Sequence, residues 1–185
     1  MLILASASPR RAELLRNAGI GFTAVHANIP EERRAGEGPI AYARRLATEK
    51  ARAVAQQHPN DGVLGADTIV VVAGDVLEKP RNADDARAML RRLSGRTHEV
   101  TTGVCLISNG REQIEAETTR VVMTTISDAE IDFYVSTGEP MDKAGAYAIQ
   151  GIASRWIPRI EGCYFNVVGL PIPLVYRILR ESRLL

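Results

Sequence analysis

Two adjacent arginines stand out because ordinary helix formation does not explain their position. The stretch ASASPRR places Arg10 and Arg11 in the first turn of a predicted helix, after Ser8 as N-cap and Pro9 as first residue. The dipole of a helix disfavours cations in this turn and favours anions. The two arginines therefore indicate an anion near the start of this helix.

A second unusual residue is Asp67, which lies inside the apolar run VLGADTIVVV. Burying an unpaired carboxylate is costly, so Asp67 must pair with a cation, bind a metal or lie at the end of a strand. Pairing with a buried lysine, or capping a turn, would make its role purely structural. Both interpretations stay open at this point.

Three further charged residues are less specific signals when each is taken alone. Glu31 lies in the polar loop NIPEERR, Lys50 near the middle of a predicted helix, and Lys79 in LEKPR after a predicted hairpin. Each is typical of a solvated surface. With the arginines and Asp67, however, they supply cations for phosphate oxygens and one or two carboxylates for Mg²⁺. This combination favours a polyphosphate substrate, although the chain has no Walker A or GxGxxG motif.

The composition argues against several other classes of protein. The net charge is +1 and aromatic residues make up 5% of the 185 residues, which argues against a nucleic-acid platform or an anionic membrane as partner. The three histidines form no HExxH motif. Cys105 and Cys163 lack CxxC spacing and predict reduced thiols. MLILA is too short for a signal peptide and no apolar run could span a membrane, so we expect a cytoplasmic protein.

The elements that must position these residues alternate between strands and helices. This order, with both adjacent and hairpin strands, predicts one α/β domain with a mixed sheet. EPMDKAGAYAIQG fits neither periodicity, and such irregular segments are often functional. Strands are predicted at 2–5, 22–25, 63–72, 76–77, 97–108, 111–125 and in NVV before GLP, and helices at 9–18, 39–57, after Asn82, from Ser127 to about Gly138, and after Pro171.

Six stretches in order resemble the Maf family of nucleotide pyrophosphatases: LASASPRRAELL, GADTIVV, LEKPR, LSGRTHEVTTGV, DKAGAYAIQG and YFNVVGLP. The resemblance spans Leu4 to Pro171. It implies an elongated single α/β domain over residues 1–185, with a central mixed sheet flanked by helices and a substrate cleft, as in inosine triphosphatases. It also implies hydrolysis of nucleoside triphosphates to monophosphate and pyrophosphate with Mg²⁺ or Mn²⁺, a homodimer, and links to nucleotide-pool sanitation and arrest of cell division.

The resemblance also assigns roles to individual residues. Asp67 would be the catalytic proton acceptor and, with Glu31, a metal ligand. An amide such as that of Gln150 can offer both a donor and an acceptor to the imide edge of a pyrimidine. The substrate-binding residues would be Ser6, Arg10, Arg11, Lys50 and Lys79, and the specificity residues Arg10, Thr68 and Gln150.

Within the family, GAYAIQG is similar to the branch that prefers dTTP and UTP. One alternative is the branch acting on 7-methyl-GTP, which carries a different sequence at this segment. The other is a nucleotide-binding regulator of septum formation that has no significant turnover.

Overall fold

Seven strands form one mixed sheet in the computed structural model, which describes residues Met1–Leu185. Their order is β2-β1-β3-β5-β6-β7, with β4 paired to β3. β1 runs parallel to β2 and β3, whereas the β3–β4 and β6–β7 pairs are antiparallel. The predicted α/β class with a mixed sheet is confirmed. The strands are β1 Leu2–Ala5, β2 Thr23–Val25, β3 Gly62–Val72, β4 Asp75–Leu77, β5 Thr97–Ser108, β6 Arg111–Val122 and β7 Arg159–Glu161.

Six α-helices accompany the sheet, and three of them begin where capping residues predict. Ser8 caps the first helix, Asn82 the third, and Ser127 with Glu130 forms the predicted capping box of the fourth. None of the helices has both the length and the apolar character needed to cross a membrane. The helices are α1 Pro9–Asn17, α2 Pro39–Ala55, α3 Ala83–Leu93, α4 Asp128–Ser136, α5 Tyr164–Val168 and α6 Ile172–Glu181, with short 3-10 turns at Glu139–Asp142, Ala144–Ala146 and Ile152–Trp156.

The chain divides into two units, and the long strands β3, β5 and β6 each contribute to both. The first unit comprises Met1–Thr68, Thr102–Glu117 and Gly169–Leu185. The second comprises Ile69–Thr101 and Thr118–Val168.

In the first unit, helix α2 packs unusually close to the sheet. A Cβ at Gly65 of β3 would lie 2.2 Å from the carbonyl oxygen of Ala47, and one at Gly103 of β5 would lie 2.3 Å from that of Ala43. The two glycines therefore allow the backbone of α2 to approach both strands. The alanines at 43, 47 and 51, spaced one helical turn apart, form the contacting face of α2.

The second unit has its own hydrophobic core between the sheet, α3, α4 and the 3-10 turns. The aromatic rings of Tyr134 and Trp156 meet edge to face there, with centroids 5.4 Å apart. The buried members include Val70, Val72, Leu77, Leu90, Leu93, Val100, Val121, Met123, Ile131, Tyr134, Tyr147 and Trp156.

Three features of the sheet and its C-terminal neighbours differ from the sequence-based expectation. The strand predicted in NVV is wrong, because Asn166 lies in α5 and donates to Val100 O at 2.9 Å and Thr119 Oγ1 at 3.0 Å. Strand β6 ends at Val122, three residues early, because the next amides bond to Arg96 O and Trp156 O. Strand β7 was not predicted, since its pairing with β6 depends on distant residues.

Candidate active site

Two carboxylates converge on one ammonium group in the first unit. Lys50 Nζ lies 2.6 Å from Asp67 Oδ1 and 2.7 Å from Glu31 Oε1. The side chains of Lys50 and Asp67 are each 9% exposed, whereas that of Glu31 is 45% exposed. Asp67 is thus paired inside the protein, and the carboxylate of Glu31 reaches the same cation from the solvent side.

Close packing of α2 on β3 explains why a lysine near the middle of a helix is buried. Lys50 precedes Ala51, whose backbone and Cβ lie against Gly65. Two residues further along β3 is Asp67, on the same face of the strand as Gly65. The missing side chain at Gly65 therefore brings the ammonium and the carboxylate within hydrogen-bond distance.

The environment of Asp67 changes its acidity. Burial raises the pKa of Asp67, while the charges of Lys50 and Arg11 oppose this rise. A carboxylate with a raised pKa is a better proton acceptor near neutral pH than an ordinary surface carboxylate. Asp67 is therefore a candidate general base.

Arg11 joins three separate parts of the first unit. Its Nε donates to Gly169 O at 2.8 Å, Nη1 to Ser6 Oγ at 3.1 Å, and Nη2 to Thr68 Oγ1 at 3.0 Å. Burial lowers the pKa of Arg11, and the nearby charge of Asp67 raises it. Two of the five N–H groups of the guanidinium remain for an anion. Arg11 thus links the residue that follows β1, a residue of β3 and the residue that follows helix α5.

The polar side chains around Arg11 lie where β1 ends. Ser6 directly follows β1, and the register of β1 with β3 pairs Ala5 with Gly65. The Ser6 hydroxyl also accepts from Ser8 N at 3.2 Å, at the start of α1. The strand end and the helix start therefore present small polar groups and backbone amides together, an arrangement that suits anions.

The loop that carries Glu31 is tied to helix α2. Tyr42 Oη donates to Glu31 O at 3.0 Å, and Arg45 donates to Glu32 O at 2.9 Å and to both carboxylate oxygens of Glu37 at 2.6 and 2.7 Å. The hydrogen bond from Arg45 lowers the pKa of Glu37 to about 2. An exposed loop is thus held so that Glu31 can reach Lys50.

The structure brings most of the predicted site residues together, in the first unit. Arg10 is half-buried beside Arg11 in the first turn of α1. Lys79, exposed between β4 and α3, and Gln150, exposed in a turn after the second 3-10 segment, belong to the second unit. The residues that meet in the first unit form two bonded groups, which are Ser6, Arg11 and Thr68, and Glu31, Lys50 and Asp67.

Several residues of the site were missed by sequence analysis. Gly65 and Gly103 could have been noticed as glycines inside β-rich runs, which often mark a close backbone approach. Thr102 contacts Thr68 at 2.9 Å between the hydroxyl oxygens, and Gly169 supplies its carbonyl to Arg11. No local pattern points to these last two, because their roles depend on contacts distant in sequence.

The carboxylates of the site supply some of the oxygen ligands that a hard divalent cation requires. The chain has no group of three His, Cys, Asp or Glu residues arranged to hold a metal. Asp67 and Glu31, however, already direct one oxygen each toward a single cationic group. Mg²⁺ commonly takes one or two carboxylates and completes its shell with water and substrate phosphates. The two carboxylates therefore suit a cation that arrives with a phosphate ligand.

Comparison with known proteins gives consistent matches over the full chain. Residues 1–182 match the family model described as Maf-like protein. The dTTP/UTP pyrophosphatase of Koribacter versatilis is 62% identical over 184 residues, covering 100% of this chain and 95% of that protein. The dTTP/UTP pyrophosphatase of Syntrophomonas wolfei is 52% identical over 178 residues, covering 95% and 94%.

Among solved structures, the Staphylococcus aureus Ham1 protein aligns with a TM-score of 0.47 and 12% identity, covering 66% of this chain and 71% of that one.

Proposed function

This chain belongs to the Maf-like protein family, and from that premise we propose that it is a pyrophosphatase that hydrolyses dTTP and UTP. The products are the nucleoside monophosphate and pyrophosphate. Full-length relatives at 50% identity or more that bear the name dTTP/UTP pyrophosphatase support both the reaction and the pyrimidine preference. Modified pyrimidine triphosphates are further candidate substrates.

One observation of the site carries the proposal: the buried Lys50–Asp67 pair lies within the electrostatic reach of Arg11, which keeps two N–H groups for an anion. A triphosphate needs cations that neutralise its charge, and hydrolysis needs a proton acceptor for the attacking water. Arg11 and Lys50 supply the cations, and Asp67 supplies the proton acceptor. A purely structural ion pair would not require the additional buried guanidinium.

In the proposed mechanism, the α-phosphate lies between Ser6, Arg11 and Asp67. Asp67 accepts a proton from the attacking water. The oxygen of that water forms a new bond to the α-phosphorus, and the bond from the α-phosphorus to the oxygen that bridges the α- and β-phosphates breaks. Arg11 and Lys50 neutralise the charge on the leaving pyrophosphate, and Lys79 is proposed as a further substrate-binding residue. Asp67 and Glu31 would hold Mg²⁺ or Mn²⁺, whose chemistry is to neutralise phosphate charge and to lower the pKa of bound water.

The proposed specificity residues are Arg10, Thr68 and Gln150. The Gln150 amide can pair with the imide edge of uracil or thymine, which presents both acceptors and a donor. Cytosine presents a different pattern, so an amide held in place for uracil discriminates against it.

We also propose that the protein acts as a homodimer in the cytoplasm. The free thiols of Cys105 and Cys163 support a reducing compartment. Light scattering after gel filtration tests the dimer, since a mass of one chain would contradict it.

The decisive experiment is product analysis by ion-exchange chromatography. The purified protein is incubated with Mg²⁺ and, separately, UTP, dTTP, CTP, GTP, ATP or 7-methyl-GTP. We expect monophosphate and pyrophosphate, formed fastest from UTP and dTTP. Diphosphate and phosphate would contradict the mechanism, fastest turnover of 7-methyl-GTP would contradict the substrate, and binding without turnover would favour a regulatory protein.

A further inference from the structure

The turn that carries Gln150 is part of an irregular segment but is closed by its own backbone. Gly151 N donates to Ala148 O at 3.1 Å, which makes residues 148–151 a four-residue turn with Gln150 exposed inside it. On either side lie short 3-10 turns rather than long helices or paired strands. Whatever fixes the two ends of this turn therefore fixes the backbone from which the side chain of Gln150 extends.

Tyr134 holds the first residue of the turn. Ala148 N donates to Tyr134 Oη at 3.2 Å. Tyr134 comes from α4, is fully buried, and packs edge-on against Trp156. Burial raises the pKa of Tyr134, so its hydroxyl remains protonated and can donate a hydrogen bond of its own. That donor points at Glu139 Oε1, 2.9 Å away.

Glu139 holds the other end of the turn. Ile152 N, directly after Gly151, donates to Glu139 Oε1 at 3.1 Å and lies 3.4 Å from Oε2. The same oxygen thus receives the tyrosine hydroxyl and the backbone amide. The carboxylate ties both ends of the turn into one hydrogen-bonded group.

Gly151 makes room for this arrangement. A Cβ at Gly151 would lie 2.1 Å from Glu139 Oε1 and 2.7 Å from Oε2. Any side chain at this position would displace the carboxylate. Because the displaced group is the end of a flexible side chain, the cost to the fold is small while the hydrogen bonds to Ile152 and Tyr134 are lost.

We propose that Glu139 is a positioning residue for substrate selection: with Tyr134 it fixes the 148–151 turn and so the Gln150 amide that distinguishes uracil from cytosine. The inference rests on the proposed function, in which Gln150 contacts the base. An amide selects between two bases only if its donor and acceptor are held in a fixed orientation. Glu139 itself touches neither substrate nor the reacting atoms.

The experiment compares kcat/KM for UTP and CTP in the full-length protein and its variants. Glu139→Ala and Gly151→Ala should each lower the UTP-to-CTP ratio about tenfold, in the same direction as Gln150→Ala. Glu139→Gln keeps an oxygen acceptor of the same shape and should restore most of the ratio. Glu161 is an exposed carboxylate of β7 that pairs with Arg120 of β6 and Arg159 of β7, so Glu161→Gln is the matched control and should leave the ratio unchanged.

A double variant separates positioning from general damage to the fold. If Gly151→Ala acts through Gln150, combining it with Gln150→Ala produces no further loss of the ratio, whereas independent effects would multiply. Multiplying effects would overturn the inference. So would an unchanged ratio in Glu139→Ala and Gly151→Ala when Gln150→Ala lowers it. A wild-type protein without UTP turnover, or an unchanged ratio in Gln150→Ala, would instead refute the proposed function and this inference with it.

Discussion

Lys50 Nζ and Asp67 Oδ1 lie 2.6 Å apart, and neither side chain is more than 9% exposed. The two residues come from a helix and a strand, 17 positions apart in sequence. Removing one partner of such a pair leaves the other charge buried without compensation. The pair is therefore the most sensitive contact of the candidate site, and a change to either residue should lower stability as well as activity.

The first prediction concerns Asp67 as proton acceptor. Asp67→Asn keeps the shape and a hydrogen-bond acceptor for Lys50 but cannot take a proton, so kcat with UTP should fall about 10²- to 10⁴-fold. Circular dichroism should show a folded protein. Asp75→Asn, which removes an exposed carboxylate paired with Arg92, is the control and should retain full activity. Full turnover in folded Asp67→Asn would remove Asp67 from the mechanism.

The second prediction concerns the close approach of α2 to β3. Gly65→Ala puts a Cβ 2.2 Å from Ala47 O, a backbone atom that can move only with the helix. We expect a loss of about 1–3 kcal/mol in the free energy of unfolding, measured in urea. Activity should fall further than this loss explains, because Lys50 shifts away from Asp67.

Gly21→Ala is the matched control for this substitution, since a Cβ there meets no atom within 4 Å. Both variants remove one glycine from the unfolded chain, so that contribution is common to them. A Gly65→Ala protein as stable and active as Gly21→Ala would contradict the role of Gly65 in positioning α2.

Sequence analysis was most successful where structure depends on neighbouring residues. The N-caps at Ser8, Asn82 and Ser127 were placed correctly, because a cap bonds an amide only three residues away. Asn109-Gly110 was recognised as a hairpin turn, and both residues have the positive φ that such a turn requires.

It was less successful where a role depends on residues distant in the chain. Lys50 has the pattern of a solvated helical lysine, and only the contact of α2 with Gly65 shows that it is buried. The segment around Asn166 has the composition of a strand, yet its side chain bonds to β5 and β6 from a helical turn. Glu139 lies in the irregular segment EPMDKAGAYAIQG, but nothing in the sequence distinguishes it within that segment, because its partners are a tyrosine hydroxyl and a backbone amide.

The third prediction is a loss of stability at mildly acidic pH caused by His98. Its Nε2 lies 2.7 Å from Tyr147 Oη, and burial lowers the pKa of His98 from 6.5 to about 4. Between these two values the unfolded chain binds a proton that the folded chain does not. This contribution to stability is therefore complete above pH 6.5 and is lost as the pH falls toward 4.

Urea unfolding at pH 7 and pH 5 measures this effect. His98 should account for about 2 kcal/mol of the stability lost between the two pH values. His98→Gln cannot take up the proton and should lose correspondingly less, whatever its stability at pH 7. His26→Gln, at an exposed position, controls for removal of a histidine. Equal losses in wild type and His98→Gln would contradict this prediction.

The last prediction concerns the shared position of Lys50 between Asp67 and Glu31. If both carboxylates bind a divalent metal, the Lys50 ammonium competes with that metal in the protein without nucleotide, because it lies within 2.7 Å of an oxygen of each. Lys50→Met should therefore bind Mn²⁺ about tenfold more tightly, as measured by the electron paramagnetic resonance signal of free Mn²⁺, although turnover of UTP falls. Glu31→Gln should bind Mn²⁺ more weakly, since one oxygen ligand loses its charge. Arg44→Met removes one exposed positive charge from the same helix and separates this competition from a general change in charge. Unchanged or weaker Mn²⁺ binding in Lys50→Met would mean that the metal does not occupy the position of the ammonium.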